Sequence, residues 1–387
     1  MSLRPPASAI VGVGYTDFSY ESGRTVLELA TEASRTAIAD AGMTPQDVDG
    51  VATFSMGDSV PAQAVATSLG VEGIDYLLDL SLGGQSAAYL VLLADAAIRA
   101  GLAGTVVVYR ALNGRSGVRI GRAQAGDVPD SVAHRYAAGL TAYPQFIAMW
   151  ARRFMIETGA TEEDLAAVVI AQREYASHNP RAVLRTPLTI EDYFRSPMVA
   201  SPFRVADCTR EVDAGCAFVV TRADRARSLD TTPVYVEGGT FASVPRPGRE
   251  IGDILLADDF SRNCMHAVGD RIWKKTGFSP GDMDFAQIYD CFSSAVLFGL
   301  EGLGFVDKGE SGAFVRAGET GSEGALPVNT GGGLLAEGYV HGMNCVTEAV
   351  QQIRGGAGER NLRRADVGLV SSGTLMDGSA VILSSGR

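Results

Sequence analysis

Apolar positions along the chain follow two alternating rhythms. Ala9 to Val13 is a short apolar run ending in Gly-Tyr and predicts a strand. From Thr25 to Ala41 the apolar residues fall at Val26, Leu29, Ala30, Ala33, Ala37 and Ala41, which is helical spacing, and Gly42 stands where a helix C-cap belongs. Val48 to Phe54 predicts the next strand, Gly84 to Ala100 the next helix, and Thr105 to Tyr109 (TVVVY) a buried β-branched strand. Strands alternating with helices predict a parallel sheet. From about Asn113 to Ser201 the rhythm breaks. Arg115, Arg119 and Arg122 are followed by helical patterns near Tyr143 to Glu157 and Glu162 to His178 and by several prolines, so this segment reads as an inserted helical layer. Cys216 to Arg222 and Val234 to Thr240 predict further strands that close the first half.

The segment Gly42-Met-Thr-Pro-Gln-Asp-Val-Asp49 recurs 235 residues later as Gly277-Phe-Ser-Pro-Gly-Asp-Met-Asp284. A C-cap glycine, a Ser/Thr-Pro start and an Asp-x-Asp turn are common turn chemistry taken alone. The flanks make them a repeat: each copy has a helical pattern before it, an apolar strand after it, and then a glycine-rich turn that feeds another helix. Those turns lie near Gly83-Gly84 and near Gly331 to Gly333. Two copies of one βαβαβ unit follow, with a period far too long for a solenoid.

A length of 387 residues suits two domains or one large double one, and 33 Lys+Arg against 45 Asp+Glu gives a net charge of −12. That balance argues against nucleic acid or an anionic membrane as the main partner, since both need a basic footprint. Met1 to Ala9 has no apolar core of the length a secretory leader needs. The longest apolar stretch, Ala87 to Tyr109, is interrupted by Asp95 and Arg99 and predicts a helix and a strand instead of a membrane span. Five widely spaced cysteines, Cys208, Cys216, Cys264, Cys291 and Cys345, contain no CxxC and fit reduced thiols without a metal or disulfide framework. A cytosolic protein is expected.

Four segments carry a resemblance to a known family: Val11-Gly-Val-Gly-Tyr-Thr-Asp-Phe18, Asp213-Ala-Gly-Cys-Ala217, Tyr289-Asp-Cys-Phe292 and Gly331-Gly-Gly-Leu-Leu-Ala-Glu-Gly-Tyr-Val-His-Gly342. With the two half-chains and the helical insertion, they resemble the thiolase superfamily, in particular the sterol-carrier-protein type, over nearly the whole chain. The resemblance implies an α/β, five-layered α/β/α/β/α fold and a homodimer. It divides the chain into residues 1–112 with 202–245 as the N-terminal half, 113–201 as the helical insertion and 246–387 as the C-terminal half.

A thiolase of this type uses a Cys nucleophile in a Cys-x-x-Gly turn, a His in a His-Asp-Cys-Phe motif and a second His in a Gly-His-Pro motif. In this chain Ser81, Tyr289 and Tyr339 stand at those three places. A serine hydroxyl without a fixed base replaces a thiolate poorly, so acyl-enzyme chemistry is not expected. Two phenols, each able to donate, accept or pass one proton, suit a retro-aldol cleavage beside a thioester. One phenol takes the proton of a β-hydroxyl, the Cα–Cβ bond breaks, and the other protonates the enolate carbon. We favour Tyr339 for the first role, because it precedes His341, and Tyr289 for the second. Donors for the enolate oxygen are expected from the turn at Ser81 and from the glycine-bearing turn at Ser372-Gly373, after the apolar strand Val367 to Ser371.

The tyrosine pair resembles that of the actinobacterial steroid side-chain-cleaving aldolases, thiolase relatives that release propionyl-CoA from a 17-hydroxy steroid acyl-CoA and leave the 17-ketone. It implies an acyl-CoA substrate, no cofactor beyond the coenzyme A of that substrate, and an OB-fold/zinc-ribbon partner domain often fused to a hydratase.

Plainer readings stand beside these. Either tyrosine is by itself a common packing residue with one satisfied hydroxyl. His341 could act on Tyr339 as an imidazolium or orient it, or could be a partly exposed residue at a helix start; Asp290 could be an acceptor behind Tyr289 or merely fix its turn. Cys291 reads as a small buried hydrophobe, and Cys345 as packing or as a relocated nucleophile. Arg110, Arg115, Arg119 and Arg122, and separately Arg246 and Arg249, are candidates for the coenzyme A phosphates, for a protein contact, or for solvated loops. Gly12-Val-Gly-Tyr lacks the third glycine and following helix of a dinucleotide loop. The rival functions are a thiolase or acyltransferase with a relocated nucleophile and a non-catalytic acyl-CoA or sterol carrier.

Overall fold

The computed structural model describes residues 5–117, 119, 133–247 and 262–386. The chain opens with β1 (Ser8–Tyr15), α1 (Val26–Asp40), β2 (Gly50–Phe54), α2 (Ala62–Leu69), β3 (Tyr76–Leu80), α3 (Ala87–Arg99) and β4 (Thr105–Asn113). Four helices follow: α4 (Ala133–Ala137), α5 (Tyr143–Thr158), α6 (Glu162–Ser177) and α7 (Ile190–Arg195). After the small ribbon of β5 (Met198–Ala200) and β6 (Phe203–Arg204) come β7 (Asp213–Arg222), α8 (Ala223–Ala226) and β8 (Val234–Ser243). The remainder is α9 (Cys264–Thr276), β9 (Phe285–Gln287), α10 (Ser293–Gly302), α11 (Ser311–Arg316), α12 (Gly333–Ala336), α13 (Met343–Arg354), β10 (Val367–Gly373) and β11 (Asp377–Ser384).

Nine strands form one ladder in the order β3-β2-β4-β7-β1-β8-β11-β10-β9. At its middle, β1 meets β8 through only Ala9↔Tyr235 and Ile10↔Val234. This narrow seam joins two halves that face one another across α3 and α13. Helix α3 touches β4 and β7 of one half and β8 and β11 of the other, and α13 touches β7, β9 and β10. Helix α1 covers the outer face of the first half, and α9 that of the second. The order is therefore α/β/α/β/α.

Alternation along the strands shows the same layering. Ala9 and Val11 enter the outer core with Leu29 and Ala33, whereas Ile10 and Val13 enter the central core with Leu90 and Val346. In the second half, Val370 and Val381 face that central core while Leu369, Ala380 and Ile382 face the far outer one with Val268 and Leu300. With both faces covered, the strands must be apolar at successive positions, which is why TVVVY carries no polar alternation.

The sheet is mixed, not parallel. β2 runs parallel to β3 and β4, and β9 parallel to β10, but β7 pairs antiparallel with both β1 and β4. The β10–β11 pair is an antiparallel hairpin whose connection, Thr374 to Met376, is far too short for a parallel crossover. Helix α3 starts at Ala87, not Gly84, because the N–H of Ser86 closes a turn onto the Gly83 carbonyl first. The repeated segments fold alike. Gly42 and Gly277 both have positive φ, and in each copy an Asp carboxylate (Asp47, Asp282) takes the N–H and hydroxyl of the Thr or Ser three residues earlier.

Phe285 is fully buried in the central core, with its ring lying where a side chain at Gly368 would project. Phe285→Ala is expected to lower stability by about 3–5 kcal/mol, read as a fall in the urea midpoint with the slope unchanged.

Candidate active site

Tyr289 follows the last residues of β9, and its placement is secured from three directions. The Asn329 side chain accepts the N–H of Ile288 at 2.7 Å and donates to its carbonyl at 2.9 Å. The N–H of Tyr289 itself donates to Ser371 Oγ at 3.2 Å. Asp290 then turns inward and accepts the N–H groups of Leu334 and Leu335 at 3.0 and 3.2 Å. These two bonds tie Asp290 to the start of α12. Burial pushes its carboxyl up to about 8, against the lowering effect of those two donors.

Tyr339 arrives on the loop between α12 and α13, where its N–H donates to the Arg210 carbonyl at 2.8 Å. The residue before it, Gly338, has φ 148°, and a Cβ there would meet Phe18 and Val212 at 2.8 and 3.0 Å. The two phenols meet with a hydroxyl separation of 3.4 Å. That is longer than the roughly 2.7–2.8 Å of an ordinary O–H···O bond. Tyr289 is 5% and Tyr339 6% exposed, and burial holds both phenols well above their ordinary pKa.

The third family position differs from this pair in exposure. Ser81 is exposed at the head of its turn. Three residues on, a Cβ at Gly84 would fall on the Tyr289 hydroxyl itself, and a Cβ at Gly342 would lie 3.0 Å from the Tyr289 ring. The glycine turn is therefore the floor on which the phenol rests. The β10–β11 hairpin reaches the same turn: Gly373, at φ 82°, packs against Gln85, Ser379 Oγ donates to the Gln85 carbonyl at 2.7 Å, and Ser372 Oγ accepts the Ala88 N–H at 3.0 Å.

His341 is not an imidazolium, nor is it partly exposed. Burial and the adjacent Arg110 guanidinium push its pKa down to about 3, so it is neutral at physiological pH and cannot draw down the Tyr339 phenol as a cation. Its ring lies 4.9 Å from that of Tyr339. Arg110 is fully buried, pairs with Asp58 at 2.6 Å and reaches His341 Nδ1 at 3.1 Å, so it is unavailable to coenzyme A phosphates. Arg119 is ion-paired with Glu211, and Arg115 is exposed with its guanidinium 5.9 Å from the Tyr20 ring. Arg246 is exposed just beyond β8, while Arg122 and Arg249 lie outside the described residues. Cys345 is 2% exposed and burial pushes its thiol far up; Cys291 is shifted the same way. Neither is a ready thiolate.

Asp58, Asn329 and Ser371 were not singled out by the sequence reading. Arg110 carried a signal: a cation directly after TVVVY and before Ala-Leu sits inside a run whose neighbours are all buried. Among the described residues no cluster of His, Cys, Asp and Glu is arranged to hold a metal ion, and no helix is long and apolar enough to cross a membrane.

Comparison with known proteins decides the family. A model described as thiolase C-terminal domain-like matches residues 252–385. A Mycobacterium tuberculosis protein named 17-hydroxy-3-oxo-4-pregnene-20-carboxyl-CoA lyase is 40% identical over 97% of this chain and 98% of its own. A steroid side-chain-cleaving aldolase of Thermomonospora curvata is 38% identical over the full length of both chains. This chain belongs to the steroid side-chain-cleaving aldolase branch of the thiolase superfamily. The solved Ltp2-ChsH2(DUF35) aldolase superposes with a TM-score of 0.92 at 38% identity over 100% of both chains. Human mitochondrial 3-ketoacyl-CoA thiolase shares the fold, with a TM-score of 0.70 at 16% identity over 98% of each chain.

Because both site phenols are held protonated, replacing Tyr289 and Tyr339 together by Phe should leave the native phenolate absorbance unchanged up to about pH 10, the ordinary tyrosine value. The two proteins should differ only after unfolding in denaturant, when the wild type ionises two more phenols near that pH. A native difference spectrum below pH 9 would contradict the assigned protonation.

Proposed function

We propose that the chain is a carbon-carbon lyase that cleaves a 17-hydroxy steroid acyl-CoA to a 17-keto steroid and propionyl-CoA, without a covalent acyl-enzyme. The observation that carries this reading is the buried pair of facing hydroxyls, Tyr289 and Tyr339, on a thiolase-type scaffold with an exposed serine at the nucleophile position. The names of the relatives at 38–40% identity support the same reaction and substrate class.

Burial disfavours a standing phenolate on either tyrosine, so proton transfer is best run as a relay. The substrate β-hydroxyl gives its proton to Tyr339 Oη as Tyr339 passes its own to Tyr289 Oη and Tyr289 releases its own toward the substrate α carbon, all in one step, so neither oxygen ever holds two protons. The Cα–Cβ bond breaks, the electron pair of the hydroxyl O–H becomes the ketone π bond, and the Cα–Cβ pair forms the thioester enolate. The proton leaving Tyr289 arrives at the α carbon, which completes the propionyl-CoA and leaves both residues as the phenols they began as. A separation of 3.4 Å must close somewhat for this, as catalytic contacts commonly do once substrate is bound.

Arg115 and Arg246 are our candidates for the nucleotide end of coenzyme A, with Arg122 and Arg249 beside them in sequence. A homodimer is supported by the edge strand β3, where Leu77 is exposed with Ile74 nearby in the chain. A protein partner is supported by the name of the Ltp2-ChsH2(DUF35) relative, and our candidate for it is an OB-fold domain. A cytosolic location suits five free cysteines.

The decisive assay gives the purified protein, with and without an OB-fold partner, a 17-hydroxy steroid acyl-CoA and follows the 17-ketone and propionyl-CoA. Tyr289→Phe and Tyr339→Phe should each lower kcat by about 10²-fold or more while acyl-CoA still binds. Tight binding with no product from any preparation would make the protein a carrier. In the same assay Gly84→Ala, which displaces the Tyr289 hydroxyl without removing it, should cost about 10²-fold in kcat.

A further inference from the structure

His341 carries a hydrogen-bond donor that the relay above does not use. Arg110 has only N–H groups to offer, so its contact of 3.1 Å with Nδ1 requires that nitrogen to be the acceptor. A neutral ring with Nδ1 as acceptor bears its proton on Nε2. Arg110 is in turn held by Asp58 at 2.6 Å, and its NH1 donates to the Ala111 carbonyl at 3.3 Å. Its guanidinium also lies 5.0 Å from the centre of the Phe54 ring, which sits 5.7 Å from the imidazole. The imidazole is thus clamped on its Nδ1 side by a buried cation that cannot rotate away.

The other side of the ring is open. Nε2 makes no hydrogen bond among the described residues, and it lies 3.6 Å from the position a Cβ would take at Gly83. The next glycine, Gly84, is the one whose missing side chain makes room for the Tyr289 hydroxyl. Met56, 55% exposed, flanks Gly83, so this part of the turn borders solvent. The backbone of His341 itself is held at φ 56°, a left-handed conformation that histidine adopts rarely.

From this we infer that the Nε2–H of His341 donates to the thioester oxygen that becomes the enolate oxygen, and that Asp58 and Arg110 are positioning residues that fix the required tautomer. The inference rests on the proposed retro-aldol reaction. It gives that reaction a neutral donor next to Tyr339, for the negative charge that develops as the Cα–Cβ bond breaks. A neutral donor suits the step, because an imidazolium there would protonate the enolate oxygen instead of leaving the carbon to take the proton from Tyr289.

The test combines a spectrum with kinetics on the full chain. The protein has four histidines, so ¹⁵N-histidine labelling gives a spectrum simple enough to assign by His341→Gln. His341 should show a protonated Nε2 and a bare Nδ1, with no titration between pH 5 and 8. Asp58→Asn should reduce that tautomer's share and lower kcat by about ten-fold with KM little changed. His341→Phe should lower kcat by about 10²–10³-fold, the usual effect of removing one such donor, and His341→Gln, whose carboxamide offers an N–H, should recover most of it. A protonated Nδ1 overturns the positioning role, and a His341→Phe variant with wild-type kcat overturns the donor while leaving the retro-aldolase reading intact. A wild-type protein that forms no ketone overturns both.

Discussion

The hydroxyl of Tyr289 occupies the volume that a side chain at residue 84 would need, and the face of its ring is closed by Gly342. One of these glycines leads into α3 and the other into α13, the pair of helices that form the central layer. The position of the phenol is therefore coupled to how the halves pack. A shift of either central helix by an ångström would close the pocket in which the ring sits. Close approach of backbone to ring is what restricts both positions to glycine, whatever their conformational preferences.

The loop that delivers Tyr339 depends on a second constraint. Glu337, two residues earlier, is buried and takes hydrogen bonds from Asn179 at 2.9 Å and Asn344 at 2.8 Å, with Arg181 at 3.2 Å. Glu348 on α13 pairs with Arg360 at 2.9 Å and accepts from Thr330 and Gln352 at 3.0 Å. Arg181 lies over the Tyr15 ring at 4.0 Å, so the helical insertion, β1, the Tyr339 loop and α13 converge on one buried set of charges. Two carboxylates facing two guanidiniums, with most remaining lone pairs satisfied, can persist in the interior; removing one member would strand a buried charge, typically about 3–5 kcal/mol. The return for the fold is one geometry for the Tyr339 loop.

Much of this was legible in the sequence, and the residues show why. The outer helix, the buried β-branched strands and the duplicated Gly-x-Ser/Thr-Pro turn declare themselves because each depends on local chemistry, and the observed elements fall within a few residues of those expected. Helix α2 and edge strand β3 were missed: α2 has only 8 residues, and β3, lying at the end of the ladder, alternates between half-buried and exposed instead of reading as an apolar run. Strand direction was misread because it is set by where the insertion returns the chain to β7 and by the short turn before β11, which periodicity does not encode. At the site, Tyr289 and Tyr339 could be found through the motif positions they occupy. Asp58 and Asn329 could not, since their partners lie 52 and 41 residues away and neither belongs to a local pattern.

The chemistry follows from what burial does to each kind of side chain. A thiolate nucleophile needs a nearby cation or helix terminus to depress its pKa. The thiols of Cys291 and Cys345 are instead pushed up by burial, and the nucleophile position itself is an exposed serine. The same desolvation that disables a thiolate is compatible with phenols that never ionise, because a relay between two neutral hydroxyls moves protons without creating a buried anion on either. His341 fits the same scheme, kept neutral by burial and by Arg110 so that it can donate without protonating. Burial thus disfavours a thiolate at Cys291 and Cys345 and suits proton exchange between neutral phenols, so one physical property acts on both kinds of side chain.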